Sequence, residues 1–272
     1  MKKLFALLTL VFVLGSLSAQ KVNETVTMFG KDQLTGFTTN ITQATSDIVE
    51  QTLVNKFEKD FLLKGSKKKG YYVYLNQPCP AFGDARYDLY FTTAEVGKKK
   101  NKATQVTLVV STGNQNCISF SNDPRTSRNI VSFLESLSND VEAYKKVLRI
   151  NELKESVESL EKELASLEKD QEKNQEKVNK TNEEMQLNVA QVEAKTAEIA
   201  KLQENYNQTH NAAIKDQISK AAKEKQTLQK SQSSMQKSLL KLNESLHKND
   251  KKREELLKLI EQKKAEIQQL QR

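Results

Sequence analysis

Few side chains in this sequence are placed to do chemistry. The only histidines, His210 and His247, lie far along the chain from both cysteines, Cys79 and Cys117. Residues 20–126 hold no histidine at all, so neither a Ser-His-Asp nor a Cys-His set can be assembled there. No Cys-x-x-Cys pair marks a redox or metal site. Lys64-Gly65-Ser66 lacks the rest of a phosphate-cradling loop, and Asp84 and Asp88 read as ordinary surface carboxylates. The expectation is therefore no enzyme activity, no metal and no cofactor.

Two other constellations stand out. Lys64, Lys67, Lys68 and Lys69 form one basic cluster, and Lys98, Lys99, Lys100 and Lys102 form another. Placed at one sheet edge, they would make a patch for phosphate-rich lipid headgroups, acidic glycans or an acidic protein. The plainer reading is that lysine-rich turns keep the domain soluble. Nucleic acid fits poorly, because the clusters carry no interleaved arginine or aromatic residue. The second constellation is Cys79, held in Pro78-Cys79-Pro80, together with Cys117. In an exported protein such a pair is a candidate disulfide, the alternative being two unpaired thiols.

The elements that must position these residues come in two blocks. Residues 20–126 hold all but one of the glycines, all three prolines and most aromatics of the chain, so this is where a small packed domain can form. Alternating segments at 25–29 and 34–41 flank Gly30-Lys31-Asp32 and read as a hairpin. Ile48, Val49, Leu53, Phe57 and Phe61 give an amphipathic helix over 46–63, with Asp47 and Glu50 as its capping box. Strands are expected at 71–75, 86–96, 104–111 and 117–121. Asp123-Pro124 then caps and opens a last helix. Its first turns, over 127–149, carry a wide stripe from Ile130 to Tyr144 that should pack on the sheet. The fold class is α+β, a small antiparallel-sheet domain with packed helices. The order ββαββββα resembles the helix-on-antiparallel-sheet arrangements of the TATA-binding-protein-like or helix-grip kind. That likeness rests on element order over residues 22–146 and implies nothing about DNA binding.

The second block is a rod. From Arg125 to Arg272 there is no glycine or proline in 148 residues. At average usage about eighteen would be present. A 3-4 hydrophobic spacing runs from Ile150 to Tyr206 and again from Ile214 to Leu270, a strong coiled-coil signal. The phase breaks between Tyr206 and Ile214, where Asn207, Gln208, Thr209, His210 and Asn211 form helix poorly. The spacing predicts an antiparallel hairpin with arms 150–206 and 214–272 and a turn at 207–213. Facing residues then have numbers summing to about 420, which puts Met185 opposite Met235, Gln171 opposite Asn249 and Asn188 opposite Gln232. Val157 with Lys263, Leu167 with Arg253, Asn174 with Leu246 and Lys195 with Lys225 remain as mismatches. A parallel homodimer would leave the phase break unexplained.

Met1-Lys2-Lys3, the apolar run 4–14 and Ser16-Leu17-Ser18-Ala19 read as a cleavable signal peptide over 1–19. The mature chain is expected to be periplasmic or secreted, without a transmembrane segment, its formal charge falling from +8 as Lys2 and Lys3 are removed. The layout of signal, small domain and long coiled coil resembles exported Bacteroidota proteins, a likeness that brings no activity with it. Three functions follow: an envelope scaffold docking another envelope protein through its hairpin, a holdase, or a small-ligand carrier. The holdase reading rests on a partial similarity to the Skp family of periplasmic chaperones, from which this chain departs by its larger, wholly N-terminal β-rich part.

Overall fold

The computed structural model describes residues 21–97 and 102–272. The expected signal peptide and Lys98, Lys99 and Lys100 lie outside the described residues. The chain divides into two compact units, Met1–Leu148 and Arg149–Arg272.

The first unit is a six-stranded antiparallel sheet with helices packed on one face. Its strands are β1 (Asn23–Phe29), β2 (Asp32–Thr42), β3 (Ser66–Lys68), β4 (Tyr71–Pro78), β5 (Arg86–Val96) and β6 (Ala103–Ser111). They lie in the order β1-β2-β6-β5-β4-β3. Helix α1 (Ser46–Asn55) runs on into a π-helical turn, Lys56–Asp60, and α2 (Pro124–Thr209) enters the unit with its first turns. Period-two alternation along β5 sends Tyr87, Leu89 and Phe91 toward the helices, where Phe57 lies 5.7 Å from Phe91 and 5.5 Å from Phe133 of α2. Ile130, Leu134, Leu137 and Val141 complete this buried side, as the wide stripe of α2 leads one to expect.

Three local expectations are corrected. Residues 117–121 are not a strand. Only an isolated bridge joins Ser111 to Cys117, and Asn122 Oδ1 then accepts from the Ser119 N–H, turning the chain toward α2. The short edge strand β3 takes the sixth place in the sheet. The capping box does not form either: α1 starts after Thr45, and Glu50 is committed to tertiary partners instead. The Asp123 cap on α2 is present, its Oδ1 accepting from the Thr126 N–H at 3.0 Å.

The sheet is strongly coiled. β2 pairs with β1 over Asp32–Thr38 and with β6 over Phe37–Thr42, so its two halves serve different neighbours. The bend falls at Gly36, where a Cβ would sit 2.8 Å from the Leu108 carbonyl oxygen. It brings β1 over the face away from the helices. There Phe29 packs 4.9 Å from Tyr90 and 5.6 Å from Tyr71, and the Thr27 and Tyr71 hydroxyls are hydrogen-bonded. Leu34, Val73 and Val109 are buried on this second side.

The second unit is an antiparallel helical hairpin formed by the rest of α2 and α3 (Ala212–Gln271). The turn is tighter than the composition implies: His210 and Asn211 alone separate the helices. His210 adopts a left-handed conformation at φ +49°, and the Asn211 side chain caps α3 by accepting from the Ala213 N–H. Among the described residues no helix is long and apolar enough to cross a membrane.

Candidate interaction surface

Two of the four lysines of the first cluster, Lys67 and Lys69, are occupied at the sheet edge. Lys67 projects from β3, and its ammonium donates to Glu50 of α1 at 3.0 Å while lying 4.9 Å from the Tyr72 ring centroid. Glu50 also accepts from the Tyr72 hydroxyl at 2.9 Å. The bond to Glu50 holds the Lys67 pKa above the ordinary lysine value. Lys69 Nζ lies 5.0 Å from the Phe29 ring centroid. Lys102 pairs with Glu95 on the neighbouring strand at 3.2 Å. Lys64 and Lys68 are exposed and make no ion pair among the described residues.

The cysteines are unpaired and belong to different sides of the sheet. Cys79 lies in the helix-side core, and burial pushes its thiol up to about 11. Cys117 is bonded by the Thr35 backbone, and its thiol interacts with Tyr90, which packs against Phe29 on the opposite side. With the sheet between them, the disulfide considered from the sequence is not formed. Asp88 serves the fold, accepting from the Asn76 N–H at 2.7 Å and supporting the irregularity in β4 where Asn76 takes a φ of +51°. No group of residues able to hold a metal ion occurs among the described residues.

The hairpin carries a longer surface. Its cross-arm polar contacts follow the expected rule: Gln171 with Asp250, Asn174 with Ser245, Glu168 with Arg253 and Lys195 with Glu224 all have numbers summing to 419 or 421. Three ion pairs on the flanks of the seam, Arg149–Glu266, Lys264–Glu161 and Lys252–Glu163, depart from it by about five. Three of the four mismatches dissolve because polar side chains leave the seam sideways, and Val157 with Lys263 remains. Arg253 reaches Glu168 beside Leu167, Lys195 reaches Glu224 beside Lys225, and Asn174 bonds Ser245 beside Leu246. Gln171 meets Asp250 and not Asn249. Asn188 is buried as expected, yet its Oδ1 has no hydrogen-bond partner.

A signal that heptad assignment leaves unused explains why the arms pair within one chain. Residues 149–209 hold fourteen acidic and nine basic residues, and Ala212–Gln271 holds eight acidic and fourteen basic. A parallel homodimer would set acidic arm on acidic arm and basic on basic, whereas the hairpin pairs opposites. Toward the turn, a groove of about 520 Å³ opens between the arms, lined by Gln191, Ala194, Thr227 and Leu228 with the Lys195–Glu224 pair.

No family model, no curated protein and no solved structure matches this chain.

Proposed function

We propose that this protein is an exported, non-enzymatic interaction protein of the cell envelope that docks a partner through its coiled-coil hairpin. The observation that carries this reading is α3, 60 unbroken residues folded back on α2 by a two-residue turn. At 1.5 Å per residue that is about 90 Å of paired helix. Such a length far exceeds what covering a small sheet requires, and the outward faces of both arms are exposed along it. Export is part of the proposal and rests on the basic start, apolar run and small residues of the first nineteen positions.

The test is site-specific photocrosslinking in the native cell. A photoreactive residue at Gln208, at Glu183 or at Gln236 should give discrete adducts, while Leu75 and Asp84 on the sheet unit should give none. Adducts arising only from the sheet positions would overturn the docking role of the hairpin. A holdase role is the second reading, favoured by Leu187 and Leu240, which are 68% and 64% exposed on the arms. Suppression of aggregation of a denatured outer-membrane protein by stoichiometric amounts of this chain would favour it over a dedicated partner.

A further inference from the structure

Near the open end of the hairpin four cations are neutralised across the arms, Arg149 by Glu266, Lys264 by Glu161, Lys252 by Glu163 and Arg253 by Glu168. Lys154 and Lys258 there are exposed and make no ion pair among the described residues. Farther toward the turn, Lys223, Lys230, Lys237, Lys241, Lys248 and Lys251 of α3 are all exposed, and none makes an ion pair among the described residues. Lys223, Lys230, Lys237 and Lys251 share one heptad position, so they form a single outward column with Lys241 and Lys248 beside it. Successive heptad steps stand about 10.5 Å apart, Glu244 taking the step before Lys251, and the column runs about 42 Å. Between Lys225 and Asn243 α3 contains no acidic residue.

We infer that this lysine column is a docking surface for a linear acidic polysaccharide, a chain bearing carboxylates at regular intervals. The inference deepens the interaction reading above by naming the chemistry of one partner. Charge complementarity calls for a polyanion, and the shape of the column selects among polyanions. A heptad column follows the supercoil, whose pitch is about 150 Å, and therefore winds through roughly a quarter turn over its length. A flat bilayer can meet only part of such a column, while a flexible chain can follow all of it. The side chains between the lysines select further. No arginine, Phe, Tyr or Trp lies between Ala212 and Lys252, so the planar forks and stacking platforms that favour nucleic acid are missing. Instead Gln226, Gln229, Ser233 and Ser234 are exposed there, amides and hydroxyls able to hydrogen-bond sugar hydroxyls.

The test uses the full chain and alginate oligomers, a polyuronate, with neutral dextran as control, measured by calorimetry over a salt series. Alginate should bind, dextran should not, and the affinity should fall steeply with salt as counterions are released. Substituting Lys223, Lys230, Lys237 and Lys241 together by Gln should weaken binding about tenfold or more and flatten the salt slope. Changing the same four to Arg should retain it. A control variant with Lys154, Lys162, Lys169 and Lys173 changed to Gln loses the same charge from α2 and should bind nearly as the parent does. Equal losses in the two Gln variants, no alginate binding, or tighter binding to polyadenylate or to phosphatidylglycerol vesicles than to alginate would each overturn the proposal. Glutamine is a good helix former, so circular dichroism should be unchanged in every variant. The crosslinks at Gln208 in the native cell report on hairpin docking separately, so either idea can fail without the other.

Discussion

Replacing Asn188 by Leu should strengthen the hairpin and weaken its alignment. Asn188 is 5% exposed, and its Oδ1 lacks a partner. An unsatisfied buried polar group costs about 1–3 kcal/mol, and fully burying a leucine side chain contributes about 1.5–3 kcal/mol. Overpacking a seam built around the smaller amide returns about 1–3 kcal/mol of this. The net expectation is a gain of about 2 kcal/mol. With a urea slope of about 1–3 kcal/mol per molar, the unfolding midpoint followed by circular dichroism at 222 nm should rise by roughly 1 M. Register is read separately, with Cys79 and Cys117 replaced by Ser. Cysteines at Met185 and Met235 should crosslink within one chain in the parent, since those positions face each other across the seam. In the Asn188→Leu background, cysteines at Met185 and Leu242, one heptad off, should begin to crosslink as well, because a polar seam residue specifies register at a cost in stability. A lower midpoint together with a single register would refute the reasoning. Exclusively intermolecular products from the Met185 and Met235 cysteines would contradict the hairpin itself.

Three further outcomes are expected. Gly36→Ala should destabilise the sheet unit by about 1–3 kcal/mol, because the new methyl meets the Leu108 carbonyl and Val109 Cγ2 inside van der Waals distance; a thermal melt checks it. Phe57→Ala should cost about 3–5 kcal/mol, since the ring is fully buried among Tyr74, Phe91 and Phe133, and denaturant titration of the unit should show it. Cys79, with its thiol pushed up to about 11 by burial, should resist iodoacetamide at pH 8 in the folded protein and react only as the core opens. Its labelling rate should therefore rise as denaturant opens the core, with the pH dependence of an ordinary exposed thiol, since only the thiolate of the opened state attacks.

Much of the architecture is written in the chain. The seam periodicity, the phase break and the sum rule give the hairpin, and Asp123-Pro124 gives the start of α2, because these depend on local spacing alone. Other features depend on tertiary partners. Glu50 has the spacing of a capping residue, but Lys67, Tyr72 and Thr93 converge on it from the sheet and offer it better contacts. β3 is three exposed residues with no alternation to read. Residues 117–121 alternate like a strand, but hydrogen bonds from Ser119 and Asn122 turn the chain before a ladder can form. Gly36 was the available sign of the coiled sheet, as an isolated glycine inside a strand pattern marks a bend or a close backbone approach. Lys67 and Lys69 read as free charge from sequence, because nothing local reveals that Glu50 and Phe29 lie beside them.

The two-residue turn at His210 and Asn211 has a mechanical consequence. It brings Glu266, near the end of α3, beside Arg149 at the opposite end of the same arm pair. Tension applied between residues 149 and 266 therefore opens the hairpin like a zipper, breaking one layer of the seam at a time. Tension applied between the turn and those two positions loads both helices along their axes, and every layer shares it. One structure thus yields readily when its ends are drawn apart and stiffly when its tip is pulled, so the direction in which a bound partner tugs decides whether the hairpin holds or opens.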